Sequence, residues 1–385
     1  MRRNPIYDPR EDSYLLAESV KAYAKGKTLD VGTGSGIQAF VAANTKGVES
    51  VLAIDINTDA LEHAKKWNHH PSISFMQSDL FSNINEKFDT IIFNPPYLPD
   101  DENVKDVALD GGEKGCELSV RFLKDARSRL NDDGQMLFLF SSLTHKEIIE
   151  KTLIENAYTF EEIAKQHLDF EVLYVYKIKK VESVVNDVKD LTFFSKGKRG
   201  LIYTGIYQSK KVAIKITNPA SEAIGRIYIE GRNLKEVNSL GIGPKLVKAS
   251  ENYIMYEFVE GELFPGYIGH AEKIEIIEAI FQIFAQMRTL DLNKISKEEM
   301  TNPYKHILIT KEKKVVLIDF ERANKDLRPN NMTQFCQYLL SEKMSGALKK
   351  KGLNIDHDKL IALAQKYKKE FYHDEDYNNI LEAIR

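Results

Sequence analysis

Residues 88–97 read FDTIIFNPPY, in which an apolar run leads directly into a proline-rich motif. The run FDTIIF has the composition of a strand buried in a parallel sheet, so NPPY is expected where that strand ends. A second apolar strand end, residues 28–31, opens into the glycine loop GTGSG of residues 32–36. Because ligands bind at the carboxyl ends of the strands in doubly wound α/β sheets, we expect both segments to line one crevice.

The first half of the chain alternates strand and helix patterns, which favours a doubly wound α/β sheet with helices on both faces. Polar residues of chemical interest follow the ends of its strands. Further strands are predicted at residues 51–54, 73–76, 88–93, 135–140 and 170–176, and helices at residues 37–45, 58–68, 118–130 and 146–156.

The composition is that of a globular protein with two cores. The 385 residues, 43% of them hydrophobic and 29% charged, exceed what one typical domain needs. The two cysteines, Cys116 and Cys336, are far apart and predict neither a disulfide framework nor a zinc cage. No stretch approaches the roughly 20 apolar residues of a membrane span and no signal-peptide pattern is present, so a cytoplasmic location is expected.

Charge is distributed unevenly along the chain. Residues 1–180 contain 22 Lys+Arg against 29 Asp+Glu, a net charge of −7, which leaves 32 against 28, or +4, for the remainder. Enzymes that act on duplex DNA more often carry a basic groove that meets the phosphates. The acidic first half therefore weighs against nucleic acid as its substrate.

A domain boundary is predicted just after residues 170–176, FEVLYVY, which have the β-branched and aromatic content of a last strand. The lysine-rich residues KIKK are expected to end that strand. A polar stretch then leads to a new series of short strands. The predicted organisation is a first domain at residues 1–182, a linker at residues 183–190 and a second domain at residues 191–385.

Glycines and acids at the strand ends predict a site for a nucleoside-bearing cofactor. Gly32, Gly34 and Gly36 allow a tight turn and a close approach of the backbone to a ligand, with helix N–H groups facing it. Asp55, after the second strand, is placed to accept hydrogen bonds from both ribose hydroxyls. Asp79 is placed to accept one from an adenine amino group. A GxGxG loop occurs in many Rossmann-type proteins, so nicotinamide binding remains open on these residues alone.

The NPPY motif favours a different chemistry. Prolines fix φ and remove donors, so the Asn94 side chain and the Pro95 carbonyl can act as two acceptors directed into the crevice. A substrate NH₂ group supplies two matching donors. Holding both N–H bonds and stacking the plane on Tyr97 aims the conjugated lone pair at a methyl donor. The motif predicts a methyltransferase for a planar, conjugated nitrogen, with Asn94, Pro95 and Tyr97 catalytic; the alternative is a proline-rich turn that only ends the strand.

Residues 1–180 resemble the HemK-like class of S-adenosylmethionine-dependent methyltransferases, most closely the archaeal and eukaryotic release-factor glutamine methyltransferases. The resemblance implies a seven-stranded Rossmann-like sheet and S-adenosylmethionine as the cofactor. The matching segments are YDPREDS at residues 7–13, LDVGTGSG at 29–36, AIDIN at 53–57, SDLF at 78–81, NPPY at 94–97 and LDGGEKGCE at 109–117.

The resemblance also implies roles for single residues. The first segment closes over the cofactor in that family, which makes Asp12 a cofactor-binding candidate. The glycine loop would face the methionine part of the cofactor, Asp55 its ribose and Asp79 its adenine. Asn94 would hold the reacting amide.

The same family methylates the glutamine of the Gly-Gly-Gln loop in class-1 translation release factors, and works as a heterodimer with a small zinc-binding activator. The resemblance therefore implies a release factor as substrate and such an activator as partner, paired with the third strand at residues 73–76. Adenine-N6 methyltransferases use a closely similar NPPY motif and remain the alternative. The acidic first half and the absence of an appended basic module favour protein glutamine.

The second half begins with short strands rich in glycine. A hairpin is predicted at residues 193–216, ending in VAIK, which is the sequence around the phosphate-binding lysine of protein kinases, here Lys215. A predicted helix at residues 223–240 offers Glu230 as the partner of that lysine, with Glu222 and Glu236 as weaker alternatives.

Two later strands continue this kinase-like order. The strand at residues 253–258, YIMYEF, is predicted to lead into a hinge between two lobes. The strand at residues 315–318 is followed by Asp319-Phe320-Glu321, where kinases have Asp-Phe-Gly with the aspartate on Mg²⁺.

Residues 190–385 resemble the small atypical kinases of the RIO type, particularly an archaeal group of predicted Ser/Thr kinases. The resemblance implies a two-lobed α+β protein-kinase-like domain that binds ATP and Mg²⁺. Lys215 and Glu230 would then serve the nucleotide and Asp319 the metal ion.

The HxD motif of the kinase catalytic loop is missing before the strand at residues 307–309. Aligned without gaps, Thr301 takes the place of the catalytic aspartate and His306 that of the Mg²⁺-binding asparagine, which makes His306 a candidate metal ligand. A two-residue insertion instead places Glu299 at the position of the acid. Glu299 is the candidate catalytic residue, and a non-catalytic pseudokinase or interaction module is the alternative.

Overall fold

The computed structural model describes residues 6–98, 111–197, 199–219 and 225–385. The chain divides into two compact units, the first ending at Ser195 and the second beginning at Lys196. The division falls a few residues after the predicted linker. Within the described residues, no helix has both the length and the apolar character needed to cross a membrane.

The first unit alternates strands and helices. Its strands are β1 (Gly26–Val31), β2 (Val48–Asp55), β3 (Ile73–Gln77), β4 (Phe88–Phe93), β5 (Leu130–Ser141), β6 (Tyr158–His167) and β7 (Val172–Lys180). Its helices are α1 (Glu11–Tyr23), α2 (Ile37–Ala43), α3 (Thr58–Trp67), α4 (Glu117–Ala126) and α5 (Lys146–Glu155).

These strands form one seven-stranded sheet in the order β3-β2-β1-β4-β5-β7-β6. The strands from β3 to β5 are parallel, and β7 runs antiparallel to both of its neighbours. This confirms the predicted Rossmann-like sheet. Because β1 lies next to both β2 and β4, the glycine loop and NPPY leave the sheet side by side at its carboxyl edge.

One face of the sheet is covered by α1 and α2, which hold the crevice in place. Leu16 and Val20 of α1 and Ala39 of α2 are fully buried against apolar residues of the sheet, including Leu137 and Val175. Burying a side chain of this size stabilises the fold by roughly 1.5–3 kcal/mol. The N-terminal segment is thereby packed against the strands that end at the crevice.

The last strands differ from the prediction. β6 is absent from the predicted strands because its sequence is largely polar, as expected at a sheet edge where one side meets solvent. β7 continues through the KIKK lysines to Lys180, so the expected end of the strand at residue 176 was wrong. Its Ile178 is fully buried, whereas Lys177 and Lys179 are only partly so, which is the alternation of a strand rather than a terminating cluster.

The second unit begins with strands and continues with helices. The strands are β8 (Lys189–Lys196), which crosses the division at Ser195, β9 (Gly200–Tyr207), β10 (Lys210–Thr217), β11 (Leu246–Ala249), β12 (Tyr253–Glu257), β13 (Gly261–Leu263), β14 (Ile295–Ser296), β15 (Ile307–Thr310), β16 (Val315–Leu317) and β17 (Asn324–Lys325). The helices are α6 (Arg226–Asn238), α7 (Phe264–His270), α8 (Lys273–Leu292), α9 (Asn331–Leu340), α10 (Glu342–Lys350), α11 (His357–Lys369) and α12 (Asp374–Glu382).

Its main sheet has the order β11-β12-β10-β9-β8. In this sheet β10 pairs antiparallel with β9 and with β12, and β12 pairs antiparallel with β11. The hairpin predicted at residues 193–216 is therefore the core of a larger sheet. Smaller sheets join β13, β15 and β16, and β14 with β17. The helical part is centred on α8, where Ile276, Ile280 and Ile283 are fully buried.

Candidate active site

The loop between β1 and α2 has a backbone that requires glycine. Gly32, Gly34 and Gly36 have φ of +62°, +53° and +86°, values that other residues rarely adopt. A Cβ on Gly36 would lie 2.2 Å from the side chain of Asn68. A Cβ on Gly34 would meet only a backbone oxygen at 3.9 Å, so the space directly against this glycine is open to a group of at least methyl size.

The backbone around the loop holds the carboxylate of Asp55, the last residue of β2. Its Oδ2 accepts a hydrogen bond from the Gly34 N–H and its Oδ1 one from the Asn57 N–H, each at 2.9 Å. Burial raises the pKa of this carboxyl. Each carboxylate oxygen has a second lone pair, so Asp55 can still accept from hydroxyl groups of a ligand.

A second acidic residue, Asp30, lies under the loop and was not predicted from the sequence. Asp30 of β1 is 1% exposed, and its Oδ2 accepts from the Thr33 hydroxyl at 2.6 Å and from the Ala39 N–H at 3.1 Å. Burial raises the pKa of Asp30 to about 7. The only signal in the sequence is a charged residue in an otherwise apolar strand, and its function here is to tie both ends of the glycine loop together.

Asp79, which follows β3, forms an ion pair with Arg121 of α4 through its Oδ1. Both side chains are about half exposed. Arg121 is not part of any motif in the sequence. Oδ2 of Asp79 is the oxygen left for an amino group, so the pair can orient this carboxylate toward a ligand.

At the end of β4, the side-chain amide of Asn94 is fixed by two residues from the N-terminal segment. Nδ2 of Asn94 donates to Oδ2 of Asp12 at 2.7 Å, and the hydroxyl of Tyr7 donates to Oδ1 of Asp12 at 2.9 Å. Asp12 is only 3% exposed. The structure thus places Asp12 on the amide of Asn94, a contact that the sequence does not predict.

This contact occupies the Nδ2 end of the Asn94 amide and leaves its carbonyl oxygen for another partner. Asn94 Oδ1 is buried and has no hydrogen-bond partner among the described residues. An acceptor that is buried without a donor costs roughly 1–3 kcal/mol. Such an orphaned atom is explained by a donor that arrives with a ligand.

The other residues of the motif form the wall beside Asn94. Pro95 is buried, and Tyr97 is partly buried and packs against the apolar cluster of α1 and the sheet. Burial and the charge of Asp12 raise the pKa of the Tyr97 phenol, so it stays neutral. A neutral ring at this position offers a planar surface for stacking.

The loop after NPPY is described in part. Leu109 and Asp110 of the predicted segment lie outside the described residues. Gly111 donates its N–H to the carbonyl of Leu98 at 2.8 Å, and a Cβ on Gly111 would lie 2.7 Å from the carbonyl oxygen of Pro96. The backbone of this loop therefore lies directly against the motif.

In the second unit, the predicted kinase-like residues of three separate segments meet. The Lys215 ammonium on β10 lies 2.6 Å from Glu230 of α6 and 3.3 Å from Asp319. Burial alone would lower the pKa of Lys215, but the two carboxylates raise it above its ordinary value. Lys215 is therefore a buried, permanently charged ammonium between two acids.

The backbone of Asp319 has φ of +62°, in the left-handed region that non-glycine residues seldom occupy. Although burial opposes it, the neighbouring cations Lys215 and Lys297 hold the pKa of Asp319 below its ordinary value. Strained backbone of this kind costs of order 1–3 kcal/mol and clusters at functional sites.

Lys297 is a further residue that sequence reasoning does not identify. It is 2% exposed, and its ammonium donates to the carbonyls of Ile318 and Asp319 at 2.7 and 2.6 Å. Burial lowers its pKa to about 8. Its contacts place the segment before Glu299 against the strained turn at Asp319.

Glu299 and His306 lie close together, with 3.7 Å between Oε2 and Nε2. Glu299 also pairs with Arg322 at 2.5 Å. Thr301, the gapless match to the kinase acid, is exposed. The structure thus brings Glu299 into contact with His306.

Three carboxylates gather around Lys215. Oxygens of Glu230, Asp319 and Glu321 all lie within 4.8 Å of one another. Mg²⁺ prefers oxygen ligands, so this set suits a magnesium ion better than the imidazole of His306. Glu321 stands where kinases have the glycine of Asp-Phe-Gly, and that departure is the signal by which the sequence could have indicated it.

Comparisons with known proteins agree with the geometry of the first unit. The family model described as methyltransferase small domain matches residues 11–174, which lie within the first unit. A protein of Methanocaldococcus jannaschii assigned as a protein N5-glutamine methyltransferase is 38% identical over 179 residues, which are 44% of this chain and 89% of that protein.

Two further matches were found. The release factor glutamine methyltransferase of Rhodopirellula baltica is 36% identical, over 42% of this chain and 61% of that protein. Among solved structures, the Mtq2–Trm112 complex of E. cuniculi, which methylates the eRF1 translation termination factor, matches with 28% identity and a TM-score of 0.38, covering 45% of this chain and 98% of the matched chain.

Proposed function

Because the chain belongs, through its first unit, to the HemK-like protein glutamine methyltransferases, we propose that it methylates the side-chain amide of a protein glutamine, with S-adenosylmethionine as the methyl donor. The proposed target is the glutamine of the Gly-Gly-Gln loop of a class-1 translation release factor. The observation that carries the proposal is the buried Asn94 Oδ1, which lacks a donor among the described residues.

A glutamine amide supplies the missing donor. One N–H of its NH₂ group reaches Asn94 Oδ1, and the second reaches the Pro95 carbonyl. Amide nitrogen is a poor nucleophile because its lone pair is conjugated with the carbonyl. Fixing both N–H bonds and stacking the amide plane on Tyr97 exposes that lone pair in one direction, which is a contribution of positioning and electrostatics.

The residues around the glycine loop fit the cofactor. The open space against Gly34 admits the methionine part, Asp55 has free lone pairs for the ribose hydroxyls and Asp79 has a free oxygen for the adenine amine. When bound, S-adenosylmethionine supplies a methyl group activated by its positive sulfur. Asn94 and Pro95 hold the N–H bonds while the nitrogen gains its methyl group, and the surplus N–H proton then leaves to water.

Asp12 acts through Asn94 in this proposal. Its carboxylate accepts from the Asn94 amide NH₂, so the carbonyl oxygen of Asn94 has to face the substrate. Tyr7 holds the other oxygen of the same carboxylate. Asp12 is therefore assigned as a positioning residue, a role that differs from the cofactor-binding role implied for it by the family resemblance.

An adenine amine would satisfy the same two acceptors, so adenine-N6 methylation is the competing function. A transfer assay with tritiated S-adenosylmethionine separates the two, offering a recombinant release factor in one arm and duplex DNA in the other. The proposal predicts label in the release factor that is lost in Asn94→Ala. Label in DNA alone would favour the alternative.

A small zinc-binding activator is the proposed partner. The support is the position of β3 at the edge of the sheet, where its outer backbone groups remain open for pairing with another strand. Met76 of β3 is 39% exposed and Ile56 beside its end is 52% exposed. A partner strand would cover both the backbone and these apolar groups.

For the second unit we propose nucleotide binding by a kinase-like domain. The support is the meeting of Lys215, Glu230 and Asp319. Lys215 would hold the phosphates of ATP, and the Asp319 and Glu321 carboxylates would hold Mg²⁺. Glu299 is the proposed general base, which would accept the proton of a Ser or Thr hydroxyl during phosphotransfer. It contacts His306 near the same turn.

A further inference from the structure

The second unit contains a cavity of about 780 Å³, and Glu321 is the one lining residue to which the proposed functions give a role. It lies between α6 and the segment that leads into and includes β17. Its charged wall includes Arg199, Arg226, Arg232, Arg322, Lys325 and Glu321, and we call it the arginine pocket.

Most of the cations in the arginine pocket already have carboxylate partners. Arg199 pairs with Glu321 at 3.0 Å, Lys325 pairs with Glu236 and Arg322 pairs with Glu299. Two guanidinium groups remain.

The two remaining guanidinium groups belong to Arg226 and Arg232, both on α6 and both exposed. Neither forms an ion pair with any part of the chain that the structure describes. Together with Glu299, the partner of Arg322, the pocket has five cationic side chains against four carboxylates. Arg226 and Arg232 are the two cations left without an ion pair among the described residues, and two guanidinium groups can together bind a dianion.

We propose that the arginine pocket binds the phosphate group of a phosphorylated serine or threonine on another protein. Guanidinium groups present paired N–H donors that match phosphate oxygens, with bonds roughly twice as strong as neutral ones. A phosphoserine carries about two negative charges at neutral pH, which Arg226 and Arg232 would neutralise.

The shape of the pocket favours a phosphorylated side chain over a free phosphate ion. Its volume falls in the range of about 300–1,000 Å³ that is typical of sites for larger ligands. Ile229, Val237 and Ile295 contribute an apolar part of the wall. That surface suits the carbon atoms and neighbouring residues of a peptide, which a free ion lacks.

The lining disfavours nucleic acid. No aromatic side chain is found among the lining residues, all of which are described, whereas single-stranded nucleic acids are generally held by stacking of bases on aromatic rings. Glu236 and Glu298 would also repel the phosphates that flank the first one in a polynucleotide. One phosphate on an otherwise uncharged segment avoids both problems.

The test measures the fluorescence anisotropy of a fluorescein-labelled Ala-Gly peptide with one central phosphoserine as the 385-residue chain is added. The phosphopeptide should bind at least about tenfold more tightly than its unphosphorylated form, and Arg226→Gln with Arg232→Gln should remove about tenfold or more of that affinity. The matched control is Lys349→Gln with Lys350→Gln, two exposed lysines of α10 outside the pocket, which should bind normally.

Several results would overturn the proposal. Equal binding of both peptides would do so, as would unchanged affinity in the double arginine variant. Inorganic phosphate that competes at the peptide's own dissociation constant would identify a free-ion site, and tighter, arginine-dependent binding of oligo(U) would identify an RNA site. If Lys215→Ala abolished peptide binding, the peptide would be entering the proposed nucleotide site instead. Thermal melts establish folding, and the two single arginine variants replace the double one if it unfolds.

Discussion

Nδ2 of Asn94 lies 2.7 Å from Oδ2 of Asp12, joining the end of β4 to a residue 82 positions earlier. The bond determines which end of the Asn94 amide is left for another partner. In Asp12→Ala the amide can rotate, so we expect kcat for methyl transfer to fall by at least about tenfold, the loss of one well-placed hydrogen bond to a charged group. Cofactor affinity should change little.

Glu11→Gln is the matched control, because Glu11 precedes Asp12 and is exposed. Its kcat should equal that of the unmodified chain. If Asp12→Ala instead weakened the cofactor and left kcat intact, Asp12 would be a cofactor ligand rather than a positioning residue.

Substitution of Asn94 should remove methyl transfer, whereas substitution of Asp55 should weaken cofactor binding. Asn94→Ala removes the acceptor for the substrate amide and should abolish methyl transfer while leaving the dissociation constant of S-adenosylmethionine within a few-fold. Asp55→Ala removes the proposed ribose acceptor and should weaken the cofactor by at least about tenfold. Isothermal titration and initial rates measure both effects, with the exposed Asp59→Ala as control. Equal loss of cofactor affinity in the Asn94 and Asp55 variants contradicts this division.

Asp30 should make stability depend on pH. Burial raises its pKa from 3.8 to about 7, so between these values the folded chain keeps a proton that the unfolded chain has released. The stabilisation from this group is therefore full at low pH and is lost as the pH rises toward 7.

The Asp30→Asn variant isolates that effect. Its amide oxygen can still accept from Thr33 and Ala39, but it no longer titrates. The pH slope of the unfolding free energy between pH 4 and 7 should change by about one proton in this variant. Asp59→Asn should leave the slope unchanged, and an unchanged slope in Asp30→Asn would show that Asp30 is ionised in the folded chain.

ATP with Mg²⁺ should raise the melting temperature of the second unit, because a ligand that binds only the folded state stabilises it. Lys215→Ala should remove the shift, whereas Lys211→Ala, an exposed lysine of the same strand, should retain it. Glu299→Gln should keep the shift and lose any phosphotransfer. Robust phosphotransfer by Glu299→Gln would exclude this residue as the group that accepts the substrate proton. If no nucleotide raised the melting temperature, the interaction module would be the remaining interpretation of the second unit.

The open edge at β3 should limit the solubility of the chain without its partner. Co-expression with a small zinc-binding activator should yield a monodisperse heterodimer by size-exclusion chromatography. Met76→Lys, which puts a charge on the edge, should prevent that association, since edge charges oppose strand pairing. Ile274→Lys, at an apolar residue that is 62% exposed in the second unit, should not. A chain that is monodisperse and fully active alone would refute the need for the activator.

Local sequence predicts the parts of this molecule that depend on chain order. The glycine loop, Asp55 and Asn94 are predicted because each directly follows an apolar strand, and parallel pairing brings such strand ends together. β6 could not be predicted in this way, since an edge strand needs few apolar residues. The β5 start at Leu130 is hidden by the polar residues NDDG, which resemble a turn.

Contacts between distant segments were beyond sequence reasoning. Asp12 and Asn94, or Lys297 and the carbonyl of Asp319, meet only because their elements pack against one another. In the second unit, motif order predicts the meeting of Lys215 with Glu230, but the place of Glu321 in the same carboxylate cluster depends on the strained turn at Asp319. Such contacts depend on tertiary packing, which periodicity and motifs do not encode.

Asn94 is proposed to present its free carbonyl oxygen to a glutamine amide of a release factor. The most direct test is tandem mass spectrometry of the Gly-Gly-Gln peptide from a release factor incubated with the chain, the proposed activator and S-adenosylmethionine. One methyl group is expected on the glutamine side-chain nitrogen with the unmodified chain, and none with Asn94→Ala. An unmodified glutamine in both samples, or a methyl group that persists with Asn94→Ala, would contradict it.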